Sequence, residues 1–479
     1  MNKSAAEQHY IKMTQTPVAK LVVLLGIPTT VSMLITNLYN LADTYFVGTI
    51  KNPSAQGAIG VLFTLQSIIQ AVAFMLGHGS GSYVAKELAD KNIDKASRYI
   101  SSAFFLGGIF GFVFMAIGLA TLTPFMRLLG STETILPYAK DYGMWVIISC
   151  PFLVCSLILN NCLRYEGKAF YAMIGLVSGA VINVAGDYLF ISVLNMEVFG
   201  AGLSTAISQT ISFVILLVLY IKKAQSKISF KHISRDVKLY LAVCKVGLPS
   251  LIRQGLNSIS SGLLNNLSKI YGGKVGLADE VIAAMSVVNR CSSFIMCIGL
   301  GISQGLQPVA SFNYEAKKYA RVKRALIVTV VIGFLTVLCI CTPVFIFADK
   351  VIWLLQKSQT VIDIGAPALR YATLGLIFVP LFTPVNMLYQ SIRKAWTASL
   401  LSLLRNGLTF IPILIVTTSI WGILGIQISQ PIADALTGLI SLPFIIHFLK
   451  TTPNIDEKDG TSDQPAEYET NQNQTLSNK

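Results

Sequence analysis

Apolar runs of about twenty residues recur along the whole of this chain, and each is long enough to cross a hydrocarbon core of about 30 Å. A bilayer offers no water to the backbone, so only helices or closed barrels can span it. A barrel strand shows segments of about 10 residues with alternating polarity, and the runs at 101–120 and 326–347 show no alternation. Composition agrees. Only 13% of residues are charged and mean hydropathy is +0.63, where a soluble domain carries roughly a quarter charged residues. The fold class expected is an all-α integral membrane bundle.

The spans read as 18–47, 57–85, 97–121, 136–162, 170–193, 200–221, 242–271, 278–307, 322–347, 366–391, 396–417 and 422–449, about twelve crossings. The net charge of +14 does not point to nucleic acid, because Lys and Arg are spread along loops rather than gathered on one patch. The loops around 86–98, 163–168, 222–245, 315–324 and 393–394 hold about 20 of them, against about 7 in the alternate loops, which sets both termini in the cytoplasm. Residues 1–17 show neither an apolar core nor a cleavage site, so no secretory signal is expected before the first span. The eight cysteines lie in or beside spans with no metal spacing, and are read as packing residues.

The second half restates the first at an offset of about 221 to 226 positions, the period of a duplicated six-helix unit. "LGIPTTVSMLITNLYN" at 25–40 meets "VGLPSLIRQGLNSISS" at 246–261, so each half opens on Gly-x-Pro, with Pro28 and Pro249 inside the helix. "GHGSGSYVAKELADKNIDKA" at 77–96 meets "GISQGLQPVASFNYEAKKYA" at 301–320, and "LRYEGKAFYAM" at 163–173 meets "YQSIRKAWTAS" at 389–399. Six is even, so the repeats are parallel and form two facing lobes whose rocking gives alternating access. The expected organisation is an N-terminal segment 1–17, a first lobe 18–221, a basic linker 222–241, a second lobe 242–449, and a polar, disordered tail 450–479.

A charge at mid-bilayer costs about 2.5 to 3.5 kcal/mol on insertion scales, so acids within spans face a wet cavity or a partner. Asn37, Asn40 and Asp43 recur every three residues along the first helix, with Thr44 beside them, making one polar stripe. Asn183 and Asp187 share a face of the fifth. Such faces offer hard oxygen ligands, suited to a sodium ion or to a proton with its hydrogen-bond partners. If Asp43 and Asp187 face each other, they titrate as one coupled unit. Arg405 and Asp434 read as an intramembrane ion pair, and Arg253 and Arg290 also lie within spans of the second half. His78 and His447 read as satisfied interfacial residues, and Pro28 and Pro249 as kinks, fixed or hinged. Tyr39, Asn40, Phe63 and Met75 are candidates for the lining of an adaptable apolar cavity.

Over about residues 15–450 the sequence resembles the MATE family of multidrug and toxin exporters, and within it the DinF branch and its MepA-like group. The Gly-x-Pro openings, "NLADTYFVG" at 40–48 and "LRYEGKAFYAM" carry the likeness through their order and spacing. The resemblance implies a twelve-helix antiporter of the plasma (inner) membrane, exporting lipophilic, often cationic compounds in exchange for protons or sodium. It implies coupling residues at Asp43, Asn183, Asp187 and Thr205, and a bending helix at Pro28. Spans 242–271 and 366–391 lack Asp and Glu, so the second-lobe acids of the NorM branch are missing. No phosphate loop for ATP is present, and neither an enzyme activity nor a cofactor is expected. The expected partners are the lipid bilayer and small lipophilic or cationic substrates, with the protein a monomer. A lipid-linked sugar flippase of the same superfamily is the alternative, kept open by Arg253, Arg290 and Arg405. The counterpart of Asp43 at the offset of 221 is Leu264, which confines the ion site to the first lobe.

Overall fold

A computed structural model describes residues 5–50, 52–454 and 456, and shows a helical bundle with no strand among them. The helices are α1 (Ala5–Gln15), α2 (Val18–Gly48), α3 (Pro53–Ala89), α4 (Ile93–Ala120), α5 (Leu122–Leu128), α6 (Leu136–Tyr165), α7 (Ala169–Asp187) and α8 (Glu197–Lys223) in the first half. The second half holds α9 (Val237–Lys274), α10 (Ala278–Glu315), α11 (Tyr319–Ile346), α12 (Ala348–Leu355), α13 (Gln359–Leu376), α14 (Val379–Ser391), α15 (Ala395–Leu403), α16 (Phe410–Trp421) and α17 (Ile423–Thr451). Wide turns of π-helix at Tyr188–Val193 and Leu404–Thr409 extend α7 and join α15 to α16. The chain thus makes twelve long helical elements. Ten pass as single apolar helices, and α13 with α14 make an eleventh bent by 48°.

Two spans depart from their sequence reading. The run 366–391 is not one helix, because Pro380 and Pro384 lack the amide a continuous helix needs and Pro380 disfavours helical backbone in the residue before it. The element at 242–271 is longer and more polar than a lipid-facing helix. Asn257, Ser261, Asn265, Asn266 and Lys269 lie on the distal half of α9, all five exposed, a face that hydrocarbon would reject and a water-filled cleft accepts.

The duplication is written into the backbone. Lys91 and Lys317 take the left-handed conformation 226 positions apart, as do Gly167 and Arg393. Asn160 Nδ2 donates to the Ala172 carbonyl at 2.9 Å, and at the same offset Asn386 Nδ2 donates to that of Ala398 at 2.8 Å. Helix α3 therefore pairs with α10 at 226, not at the 224 that sequence matching of 77–96 suggested. The glycine motif drew that alignment two residues out of register.

Within each half the long helices pack mainly on one another, and the halves meet where α3 crosses α9 and α2 crosses α10. Each crossing is built on glycine. A Cβ on Gly247 would stand 1.8 Å from the Met75 carbonyl oxygen, and one on Gly79 would stand 2.1 Å from that of Val243. Across the pseudo-twofold, a Cβ on Gly305 would lie 2.6 Å from the Gly26 backbone and one on Gly301 would lie 2.5 Å from that of Thr30. Only Gly lets helix backbones approach this closely. At the other end Gly48, Gly60, Gly255 and Gly262 have open space around them. The lobes are therefore clasped at the end bearing the termini and parted at the opposite end.

The clasped end carries further ties. Lys86 of α3 meets Glu315 of α10 at 2.9 Å, and Arg393 joins the same carboxylate. His9 of α1 bonds the Glu166 carbonyl at 2.8 Å, while Asn313 and Arg321 of the second half donate to the Met13 and Thr16 carbonyls. The linker runs from 224 to 236, shorter at both ends than expected, since α8 continues through Lys223 and α9 begins at Val237. It is not slack. Backbone amides of Lys227, Ser229 and Ser234 donate to Ser97, Ser101 and Ser102 of α4. The buried Glu166 carboxylate accepts from the amides of Gln225 at 2.7 Å and Ser226 at 3.3 Å, and from the Ser226 hydroxyl. Tail residues 457–479 lie outside the described residues, and Asp456 accepts from the Ala320 amide at 2.9 Å.

Glu166→Ala strands these donors, and a stranded buried donor costs about 1 to 3 kcal/mol. The linker should then detach, with trypsin cutting at Lys227, Lys231 or Arg235 roughly tenfold faster than in the parent protein. An unchanged cleavage rate would show that the serine contacts alone hold it.

Candidate functional site

Helix α2 brings Asp43 into the interior of the first lobe, where it is 8% exposed. Tyr142 of α6 donates to Asp43 Oδ2 at 2.9 Å, and its hydroxyl lies 3.3 Å from Thr205 Oγ1 of α8. Asn183 of α7 reaches the same helix, its Nδ2 at 3.4 Å from Thr205 Oγ1 and 3.3 Å from Ser204 Oγ. The Ser204 hydroxyl is spent on the Asn183 carbonyl at 2.9 Å. Asp187, one turn further along α7, is fully buried and an electrostatic neighbour of Asp43. The π-helical turn that begins at Tyr188 widens α7 just beyond it, a distortion often found beside functional groups.

The oxygens left over define the site. Asp43 Oδ1, Asn183 Oδ1 and both carboxylate oxygens of Asp187 are buried without a hydrogen-bond partner among the described residues. Buried polar atoms are normally satisfied, and four unsatisfied oxygens in one lobe, two of them on a single carboxylate, call for a proton or a cation. Oxygen ligands of this kind are hard donors, matched to a small hard ion rather than to a transition metal.

The structure thus gathers Asp43, Asn183, Asp187 and Thr205. It adds Tyr142 and Ser204. Tyr142 gives no period signal in the apolar run 136–162, and the only hint is Gly202, whose missing side chain lets α8 pack against the Tyr142 backbone. Tyr39 is half-buried and lines an apolar groove between α2 and α7 with Phe46, Val181 and Tyr188. Asn37 instead donates to Cys297 Sγ of α10 at 2.8 Å, and Asn40 lies half-buried one turn further along α2. Phe63 is exposed on α3, and Met75 sits at the crossing with Gly247, so neither takes part in the polar group around Asp43.

Pro28 lies inside the α2–α10 crossing, within an unbroken helix. Thr29, Thr30, Ser32 and Thr36 all bond carbonyls four residues back, a pattern that loosens a helix. His78 is not interfacial. It is wholly buried at the clasp, 3.1 Å from Ser250 Oγ of the second lobe and 3.3 Å from Arg164. Arg405 pairs with Asp434 at 2.8 Å, and Arg290 is exposed.

The profile of the MatE family matches residues 28–189 and 255–416, one match in each half. The chain belongs to the MatE family. It is a multi-pass membrane protein of a transporter family, and both matches fall on the duplicated helices of this MatE fold. "Multidrug export protein MepA" of Staphylococcus haemolyticus is 24% identical over 436 residues, covering 90% of this chain and 94% of the relative. MepA of Staphylococcus aureus (strain NCTC 8325 / PS 47) is 23% identical over 445 residues, covering 92% and 96%. Among solved structures, "Outward-facing conformation of a multidrug resistance MATE family transporter of the MOP superfamily" superposes with a TM-score of 0.86 at 22% identity, covering 94% of this chain and all of that one.

Proposed function

We propose that this chain is a secondary multidrug exporter that exchanges a proton or a sodium ion for lipophilic, often cationic compounds. One observation carries the reading: Asp43 and Asp187 are buried in the same lobe with unpartnered oxygens. An uncompensated acid pair in a membrane is expensive, and binding an ion relieves that cost. Two neighbouring carboxylates suit a shared proton, while the Asn183 amide oxygen and Thr205 hydroxyl complete a shell suited to sodium with water. The names of the MepA relatives support the multidrug part.

Alternating access follows from the crossings. Ion occupancy in the first lobe changes the charge that α2 and α7 carry, and α2 is also the helix that crosses α10 at Gly26 and Thr30. A change at Asp43 is thereby transmitted along one helix to the clasp. The Lys and Arg bias of the loops supports a bacterial plasma-membrane setting with the clasped end and both termini in the cytoplasm. It acts as a monomer and without a cofactor.

Purified protein in liposomes tests this directly. A pH gradient and a sodium gradient are imposed one at a time, and uptake of a fluorescent cation is followed. One of the two should drive accumulation. If neither does, exchange is the wrong mechanism.

A further inference from the structure

The second lobe contains its own small pocket, a cavity of about 40 Å³ that accommodates a single polar headgroup, lined by α9, α10, α14 and the α15 segment. Its chemistry is the reverse of the first lobe's. Two guanidinium groups line it. Arg405 is neutralised, its Nε donating to Asp434 Oδ1 at 2.8 Å and its cation lying 5.4 Å from the Phe382 ring. Arg253 is not. Its one side-chain hydrogen bond goes to the neutral Asn386 Oδ1, at a long 3.4 Å, and no carboxylate pairs with it among the described residues. A guanidinium carries five N–H donors, so nearly all of its capacity is unused.

Asn386 does not supply the balance, since its own amide group is committed to the Ala398 carbonyl and the Ser402 hydroxyl oxygen, each at 2.8 Å. That leaves the Ser402 proton free to point into the pocket. Nor does the neighbourhood compensate: Arg164, a further cation that repels Arg253, is bonded to Gln304, Asn161 and His78 and to no carboxylate among the described residues. Met296, Leu300 and Met387 form an adaptable apolar wall beside these donors. The pocket therefore carries a net single positive charge inside a membrane lobe, where an unpaired cation is costly unless something anionic answers it. A planar fork of donors next to a hydroxyl and a flexible apolar wall is matched to one oxyanion on an apolar body.

We infer that the second-lobe pocket binds the anionic group, carboxylate or phosphate, of an amphiphile through Arg253, with Ser402 as second donor. The inference rests on the exporter reading for its wider meaning: this protein handles amphiphiles bearing a negative group as well as cations, each lobe recognising one sign of charge. Two sources supply such an amphiphile, a soluble compound or an anionic membrane lipid.

The test uses the full chain in phosphatidylcholine nanodiscs, with 11-(dansylamino)undecanoate and its methyl ester as fluorescent probes. The acid should bind at least about tenfold tighter than the ester. Arg253→Gln should abolish that preference, and Arg253→Lys, which keeps the charge without the fork, should retain part of it. Equal binding of acid and ester to the parent protein overturns the site, as does an undiminished preference in R253Q. Elution of R253Q as a monodisperse peak, and ester binding equal to the parent, verify its fold. In a second arm, phosphatidylglycerol replaces part of the phosphatidylcholine. Weakened acid binding in the parent but not in R253Q assigns the site to a lipid headgroup, and unchanged binding assigns it to soluble amphiphiles. Gradient-driven export of a cation is scored separately, so loss of anion binding leaves the exporter reading standing and loss of export leaves the pocket standing.

Discussion

Asp43→Asn is expected to reduce gradient-driven export of a fluorescent cation at least about a hundredfold, with the protein still inserted and monodisperse. The substitution keeps the shape of the side chain and keeps an oxygen that can accept from Tyr142 at 2.9 Å, so the packing of α2 against α6 is retained. What it removes is the titratable charge proposed to hold the coupling ion. Asp187→Asn should do the same, because its two unpartnered oxygens form the other half of the coupled pair. Tyr142→Phe separates charge from positioning. It deletes one hydrogen bond to a charged acceptor, worth about 1.5 to 3 kcal/mol, and should slow export by roughly tenfold to a hundredfold while leaving a driving gradient effective. Flux under the imposed gradient, against binding of the same cation without one, distinguishes lost coupling from lost substrate recognition. Parent-level flux in both aspartate variants would end the coupling-site reading.

How far this site was legible in the sequence depends on the kind of signal each residue leaves. Asn183 and Asp187 announce themselves, because two polar residues four apart in an apolar run share a helix face. Asp43 does so as a carboxylate where lipid is expected. Tyr142 leaves no such trace, since tyrosine is ordinary in membrane helices and only the fold shows its hydroxyl reaching across to α2 and α8. The bundle itself was legible because hydropathy reports length and polarity. Bends are a different matter: Pro380 and Pro384 were visible, yet a hydropathy run through 366–391 carries no angle, and the 48° turn belongs to backbone geometry. The ties at the clasp were also silent. His78, Arg164 and Ser250 lie far apart in sequence, and nothing local shows that they meet.

The repeat was read correctly as a duplication and two residues out of register in one stretch, and the reason is instructive. Sequence matching aligned Gly77 with Gly301, whereas the fold equates Gly79 with Gly305, each seated on a backbone carbonyl of the other lobe, Val243 and Val22. Glycine is demanded by the partner helix rather than by its own neighbours, so its meaning lies in a contact between halves. The asymmetry of charge lies on top of this symmetric frame. The unpartnered acid pair lies in the first lobe and Arg253 in the second, while the glycine contacts at the two crossings are neutral and small.

That frame makes a second large effect predictable. Gly247→Leu should lower export at least about tenfold by preventing closure at the clasped end. A side chain there would begin 1.8 Å from the Met75 carbonyl oxygen, far inside contact distance, and the obstacle is backbone that cannot rotate away. The helix pair must then separate by several ångströms, which breaks the close α3–α9 packing and with it the His78–Ser250 bond across the interface. The lobes remain free to occupy the state parted at this end, so the variant should fold and bind substrate yet fail to complete a cycle. A cysteine placed at Ser250, a residue 1% exposed in the clasped form, reports the change. In a background without other cysteines it should react with a water-soluble maleimide at least about tenfold faster when combined with Gly247→Leu than beside the native glycine. Rapid labelling with normal export would show that the clasp opens without being part of the transport cycle. Slow labelling with normal export would show that the crossing tolerates a side chain, and that glycine there answers no mechanical need.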